Sequence, residues 1–139
     1  MRILIGSFLA LAVLGFSACN KKSVQESPDV YEPSELALLM HAMEAENLRL
    51  RDSILAGSEE LPFPKAFTHL TEAKPTQEGT INTDFHAHAN AYKLAMERLE
   101  FGEGPITTRY NVGIQACVNC HNSFCNGPIP RIKKLFITE

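Results

Sequence analysis

The run Cys117-Val118-Asn119-Cys120-His121 carries two thiols and an imidazole within five residues. On a helix, positions i, i+3 and i+4 lie on neighbouring parts of one face. Two thiols so placed can reach the two vinyl groups on one side of a porphyrin and form thioethers. The imidazole then stands beside them and can ligate the iron. This CxxCH spacing is the attachment signature of a c-type haem. Two other chemistries use part of it. A CxxC pair alone serves thiol redox reactions, and with His121 and Cys125 it offers a zinc donor set. Neither uses two covalent tethers plus a proximal nitrogen, so haem c, one and covalent, is the expected cofactor.

The chain that must position these residues has 139 of them, enough for one domain. Its first 18 residues read as a processing signal. Arg2 gives a positive start, and Ile3 to Phe16 form an apolar stretch. That stretch is too short for a comfortable membrane span, which needs about 20 apolar residues. Phe16-Ser17-Ala18 lead into Cys19, and small residues just before a cysteine resemble the lipobox of bacterial lipoproteins. The resemblance implies cleavage before Cys19, lipidation at Cys19 and an exported protein anchored to a membrane, facing the periplasm or the cell surface. Residues 19–32 are mostly polar and lack an apolar period, as a lipidated tether would. Residues 33–139 form the expected domain. Of the four cysteines, Cys19 takes lipid and Cys117 and Cys120 take haem. Cys125 remains, expected as a buried thiol beneath the proximal side of the haem. Removing Arg2 with the signal changes 13 basic residues to 12 against 16 acidic ones, a balance of −4. That argues against nucleic acid as a partner, since phosphate binding needs a basic surface.

The periodicity is helical throughout, with no period-2 stretch long enough for a strand and no internal repeat. A first helix should start at Ser34, a good N-cap, and stop at Gly57. Leu36, Met40, Met43, Asn47, Leu50 and Ile54 recur at steps of four and three along it, the pattern of a helix packed in a bundle. Asn47 is the polar member of that seam, able to set register or bond a haem propionate. Pro62, Pro64 and Pro75 break the next stretch, leaving a short or irregular second helix over residues 65–72 with Phe67 and Leu70 inward. A third helix is expected over 84–101, capped by Asn82 or Thr83, with Phe85, Ala89, Tyr92, Met96 and Leu99 inward. A fourth starts near Thr107 and carries Tyr110, Ile114, Cys117, His121 and Phe124 on one side. It ends around residues 125–127, and the tail packs back through Leu135 and Phe136.

With Cys117, Cys120 and His121 on the last of four helices and the Met40/Met43 helix at the start, the chain resembles the cytochrome c prime superfamily of four-helix-bundle cytochromes. The likeness covers roughly residues 34–127, and the haem motif is its specific part. It implies an all-α four-helix bundle with the haem inside, near the C-terminal helix. His121 would be the proximal ligand, and the first helix would supply whatever faces the iron's other side. An apolar residue there leaves the iron five-coordinate and open to small gases, whereas a methionine gives a low-spin electron carrier. The family's full second helix is not expected here, because of the prolines in residues 58–82.

For the sixth position, thioether sulfur raises the reduction potential. Met40 is the leading candidate, with Met43 and His88 behind it; plain core packing of Met40 is the alternative. A His-x-His pair does not share one helix face, so His86 and His88 do not form a zinc site. His41 and His69 are expected at the surface. Arg109, Arg131, Lys133 and Lys134 are candidates for pairing haem propionates or for a docking patch. No acid–base or nucleophile constellation stands out, so an enzyme is not expected. The leading expectation is a lipid-anchored electron-transfer cytochrome with a redox protein as partner; homodimer formation is left open. The alternatives are a five-coordinate gas-binding or sensing protein, and a haem-free dithiol or zinc site.

Overall fold

Helix α1, Glu35–Leu55, opens the fold in the computed structural model, which describes residues 32–59, 61, 62 and 64–138. The expected signal (1–18), the lipidated Cys19 and all of the tether before Glu32 lie outside the described residues. Ser34 caps α1 as its residue type predicts: its hydroxyl accepts the Ala37 amide at 3.2 Å. The cap is itself clasped by a distant loop. Thr76 Oγ1 donates to Ser34 Oγ at 2.9 Å, Leu36 N donates to Lys74 O at 3.0 Å, and Lys74 N donates to Glu35 Oε2 at 3.0 Å. Gly57, at φ 89°, ends the helix in the left-handed conformation that glycine adopts without a Cβ penalty.

The expected second helix is a single 3₁₀ turn, Lys65–Thr68. Pro62 and Pro64 remove two amide donors just before it, so an α-helical first turn has little to build on. Leu70 is nevertheless buried and Phe67 packs against the core, the inward placement expected of both. Helix α2, Thr83–Phe101, is capped by the Asn82 side chain accepting from Phe85 N at 3.0 Å. Gly102 closes α2 where a Cβ would collide with the Arg98 carbonyl oxygen. Helix α3 follows as Ile106–Phe124. It begins on Pro105 rather than on the hydroxyl of Thr107, with no side-chain cap. Arg109 instead secures the joint. Its guanidinium donates to the carbonyls of Gly104, Arg98 and Leu99, at 3.2, 3.3 and 2.5 Å, clasping the turn that joins α2 to α3.

Past α3 the chain makes a one-turn helix α4, Ile129–Ile132, and a 3₁₀ turn, Lys133–Leu135. The described residues therefore form four α-helices, three long and one short, and no strand. Among them no helix is long and apolar enough to cross a membrane.

The core is built from the stripes expected of the three long helices. Leu36, Met43, Asn47, Leu50 and Ile54 of α1 are buried, with Phe85, Ala89, Tyr92, Met96 and Leu99 of α2 and Tyr110, Ile114 and Val118 of α3. Each fully buried Leu, Ile or Met contributes about 1.5–3 kcal/mol of hydrophobic driving force. α2 and α3 make the most extensive packing of any two elements. Gly113 lies against α2: a Cβ there would overlap the Met96 methyl. Tyr110 ties α3 to α1, its hydroxyl donating to Asn47 O at 2.9 Å in the buried interior. The tail seals the third side. Asn111 Nδ2 donates to Ile137 O at 2.8 Å and Ile137 N donates to Asn111 Oδ1 at 3.0 Å, with Ile132 and Leu135 buried beneath.

Candidate haem-attachment site

Cys117, Cys120 and His121 lie on one turn of α3, so the i, i+3, i+4 geometry that the spacing requires is present. Cys117 and Cys120 are half-buried and pack against the core cluster. Burial pushes the Cys117 thiol up to about 12, and the neighbouring Cys120 adds to it; burial alone pushes Cys120 up to about 11. Both are therefore neutral thiols at physiological pH. A redox dithiol needs the opposite, a thiolate favoured by its surroundings. Among the described residues no three His, Cys, Asp or Glu side chains come together to hold a metal ion. Cys125, the fourth donor of the zinc reading, is exposed.

Cys125 thus departs from its expected place. It is the C-cap of α3, in extended backbone at φ −161° and ψ 93°, so the helical face on which the spacing put it has already ended. Its backbone does the work there. The Cys125 amide donates to His121 O at 2.9 Å, and His121 Nδ1 lies 3.0 Å from Cys125 O. A carbonyl oxygen only accepts, so Nδ1 carries the proton and Nε2 presents its lone pair. This is the orientation of a metal-binding imidazole whose other nitrogen is held by a backbone carbonyl.

The donor set therefore fits a covalently attached haem: two thiols at the edge of the core, and a histidine fixed in the tautomer that offers Nε2. Facing Cys117 inside the fold is a polar trio that the sequence did not mark as a unit. Asn47 is 2% exposed and its side-chain amide donates to Met43 O at 2.8 Å. The Tyr92 hydroxyl lies beside the Asn47 side chain, and that of Tyr110 bonds the Asn47 carbonyl. Burial, above all, and then the nearby Cys117 hold the Tyr92 hydroxyl well above its ordinary range. Burial likewise raises Tyr110. The signal available in the sequence was tyrosine, rather than phenylalanine, at two positions of an inward stripe.

The candidates for the iron's far side are distributed unevenly. Met43 is the methionine that α1 buries, at 5% exposure, whereas Met40 is half-buried at the margin of the same core. His88 stands against the last turn of α3, its Nε2 3.3 Å from Ser123 Oγ and its ring edge-on to Phe124 at 6.0 Å. His41 and His86 are exposed, and His69 is exposed and lies 2.8 Å from Glu72. Two of the four candidate propionate partners have other work. Arg109 holds the end of α2, and Arg131 pairs with Glu44 at 3.3 Å. Lys133 and Lys134 are exposed.

Two clefts flank the helices. One of about 300 Å³ lies between α2 and α3, lined by His88, Ala91, Ala95, Val112, Ala116 and their neighbours. The other, about 670 Å³, lies along α2 with Lys65, His69, Leu94 and Phe101 at its walls. Neither is lined by Cys117, Cys120 or His121. The chemistry is thus concentrated on the inner face of α3 rather than in either cleft. No family model matches the chain, and neither a curated protein nor a solved structure matches it.

Proposed function

We propose that the chain is a c-type cytochrome that carries single electrons. Cys117 and Cys120 would hold the haem through thioethers, and His121 Nε2 would be its proximal ligand. The observation that carries this reading is the His121 Nδ1–Cys125 O hydrogen bond at 3.0 Å, on the same helical turn as two protonated thiols. Haem, when bound, supplies the one-electron chemistry; the protein sets its potential and access. Cys125 O keeps the imidazole from rotating and from taking its proton to Nε2. Asn47, Tyr92 and Tyr110 offer hydrogen-bonding groups within an otherwise apolar interior, and Leu36, Met43, Leu50 and Ile114 exclude water from it. On this reading Met40 closes the sixth position, as the resemblance to the cytochrome c prime superfamily suggests. The same proposal places the haem within the helical bundle and the mature protein at a bacterial membrane, held through a lipid on Cys19.

The test is expression with haem maturation and export, followed by absorption spectra of the oxidised and reduced protein. A Soret band that stays with the chain after acid–organic extraction is expected, because thioethers survive it. A colourless product in which Cys117 and Cys120 both remain open to alkylation after unfolding would exclude the proposal.

A further inference from the structure

The joint between α3 and α4 holds the one place in the chain where glycine follows asparagine, Asn126-Gly127. Both residues are exposed and lie outside any helix. Asn126 O accepts the Ile129 amide at 3.1 Å, which closes a turn with asparagine in its first place. Among the described residues, neither the Asn126 carboxamide nor the Gly127 N–H has a hydrogen-bond partner. The Gly127 nitrogen is thus available to its neighbour's side chain, and glycine brings no Cβ to obstruct the approach. A Cβ built at Gly127 would meet nothing within 4 Å, so that side of the turn is open.

We propose that Asn126 is a site of self-modification, converted by its own backbone to isoaspartate and aspartate. The Gly127 nitrogen gives up its proton and attacks Asn126 Cγ. A new carbon–nitrogen bond forms, the bond to the carboxamide nitrogen breaks, and that nitrogen leaves with the proton as ammonia. Water then opens the five-membered imide at either carbonyl. Water is the sole co-reactant, and nothing is oxidised or reduced. The attack gains from the fixed proximity of two adjoining groups. The step holds for the loaded and the unloaded chain alike. Other asparagines lack the arrangement. Asn90, Asn111, Asn119 and Asn122 lie within α2 and α3, where the amide that would attack belongs to the helical ladder. Asn82 caps α2, and Asn47 is buried.

The place of the reaction gives it a consequence. Opening to isoaspartate runs the main chain through the side-chain carbon, so Asn126 O passes into a free carboxylate and the turn grows by one atom. The neutral acceptor of the Ile129 amide is lost, one residue beyond the carbonyl that holds His121 Nδ1. The new charge also stands beside the last carbonyls of α3, where the helix dipole disfavours an anion.

The purified full chain, folded and incubated in heavy-oxygen water, reads the site by peptide mass spectrometry with fragmentation that separates isoaspartate from aspartate. A gain of about 1 Da, beyond the one heavy oxygen taken up, is expected at Asn126 ahead of every other asparagine. Each pH unit should speed it about tenfold, as the deprotonated share of the Gly127 nitrogen rises. Gly127→Ala, which the open space lets fold, should slow it by about tenfold or more. In the isoaspartyl fraction the Ile129 amide should exchange its hydrogen faster. Conversion of Asn122 as fast as Asn126, conversion of Asn126 only in urea, or a rate unchanged in Gly127→Ala would overturn the site. Unchanged exchange at Ile129 in the isoaspartyl fraction would overturn the consequence for the joint.

Discussion

The buried thiols make a quantitative demand on the chain before haem is attached. Cys117 and Cys120 are pushed to about 12 and about 11 from the ordinary 9.0. At pH 8 an ordinary thiol is about 10% thiolate, and these two fall to about 0.01% and about 0.1%. Thiolate supply thus drops about 1,000-fold for Cys117 and about 100-fold for Cys120. A more basic thiolate is the better nucleophile, which returns about 30-fold and about 10-fold at a Brønsted slope near 0.5. The net expectation is reaction about 30-fold slower for Cys117 and about 10-fold slower for Cys120 than for an ordinary accessible thiol, before any steric hindrance. The assay is modification of the unloaded chain with an aromatic disulfide, resolved by site through peptide mass spectrometry. Exposed Cys125 should react first, then Cys120, then Cys117. Raising the pH from 8 to 9 should speed the two slow sites about tenfold, since both lie well below their pKa. Urea should collapse the spread. The loaded protein should leave only Cys125 of the three reactive. Either motif thiol outrunning Cys125 at pH 8 would refute the reasoning, because it would mean a stabilised thiolate and the chemistry of a dithiol.

Two further predictions separate ligand from filler and test the packing that holds α3. In the loaded protein, Met40→Ala should abolish the methionine-to-iron charge-transfer band, and Met43→Ala should keep it while lowering stability more, by about 2–5 kcal/mol for a buried methionine; a band that survives Met40→Ala removes Met40 from the iron. Gly113→Ala should lower the urea midpoint: the about 1 kcal/mol gained in helix propensity is outweighed by the about 1–3 kcal/mol cost of driving a methyl onto Met96, and Met96→Val should relieve it. A stability gain of about 1 kcal/mol in Gly113→Ala would mean that α2 and α3 are not in contact there.

What could be read from the sequence followed from how local each signal was. Ser34 and Asn82 cap because a short side chain needs only the next three residues to do so. The inward stripes of α1, α2 and α3 were legible because 3.6-residue periodicity survives any arrangement of the helices. One error comes from carrying a local rule too far: the spacing that sets Cys125 on the face of His121 counts past the end of α3. Pro128 and Pro130 lie beyond that end, and proline is tolerated in the first turn of a new helix, where α4 begins. Arg109 could not be read at all. Its acceptors include Arg98 O and Leu99 O, on the helix before it, and only the α2–α3 turn brings them within reach.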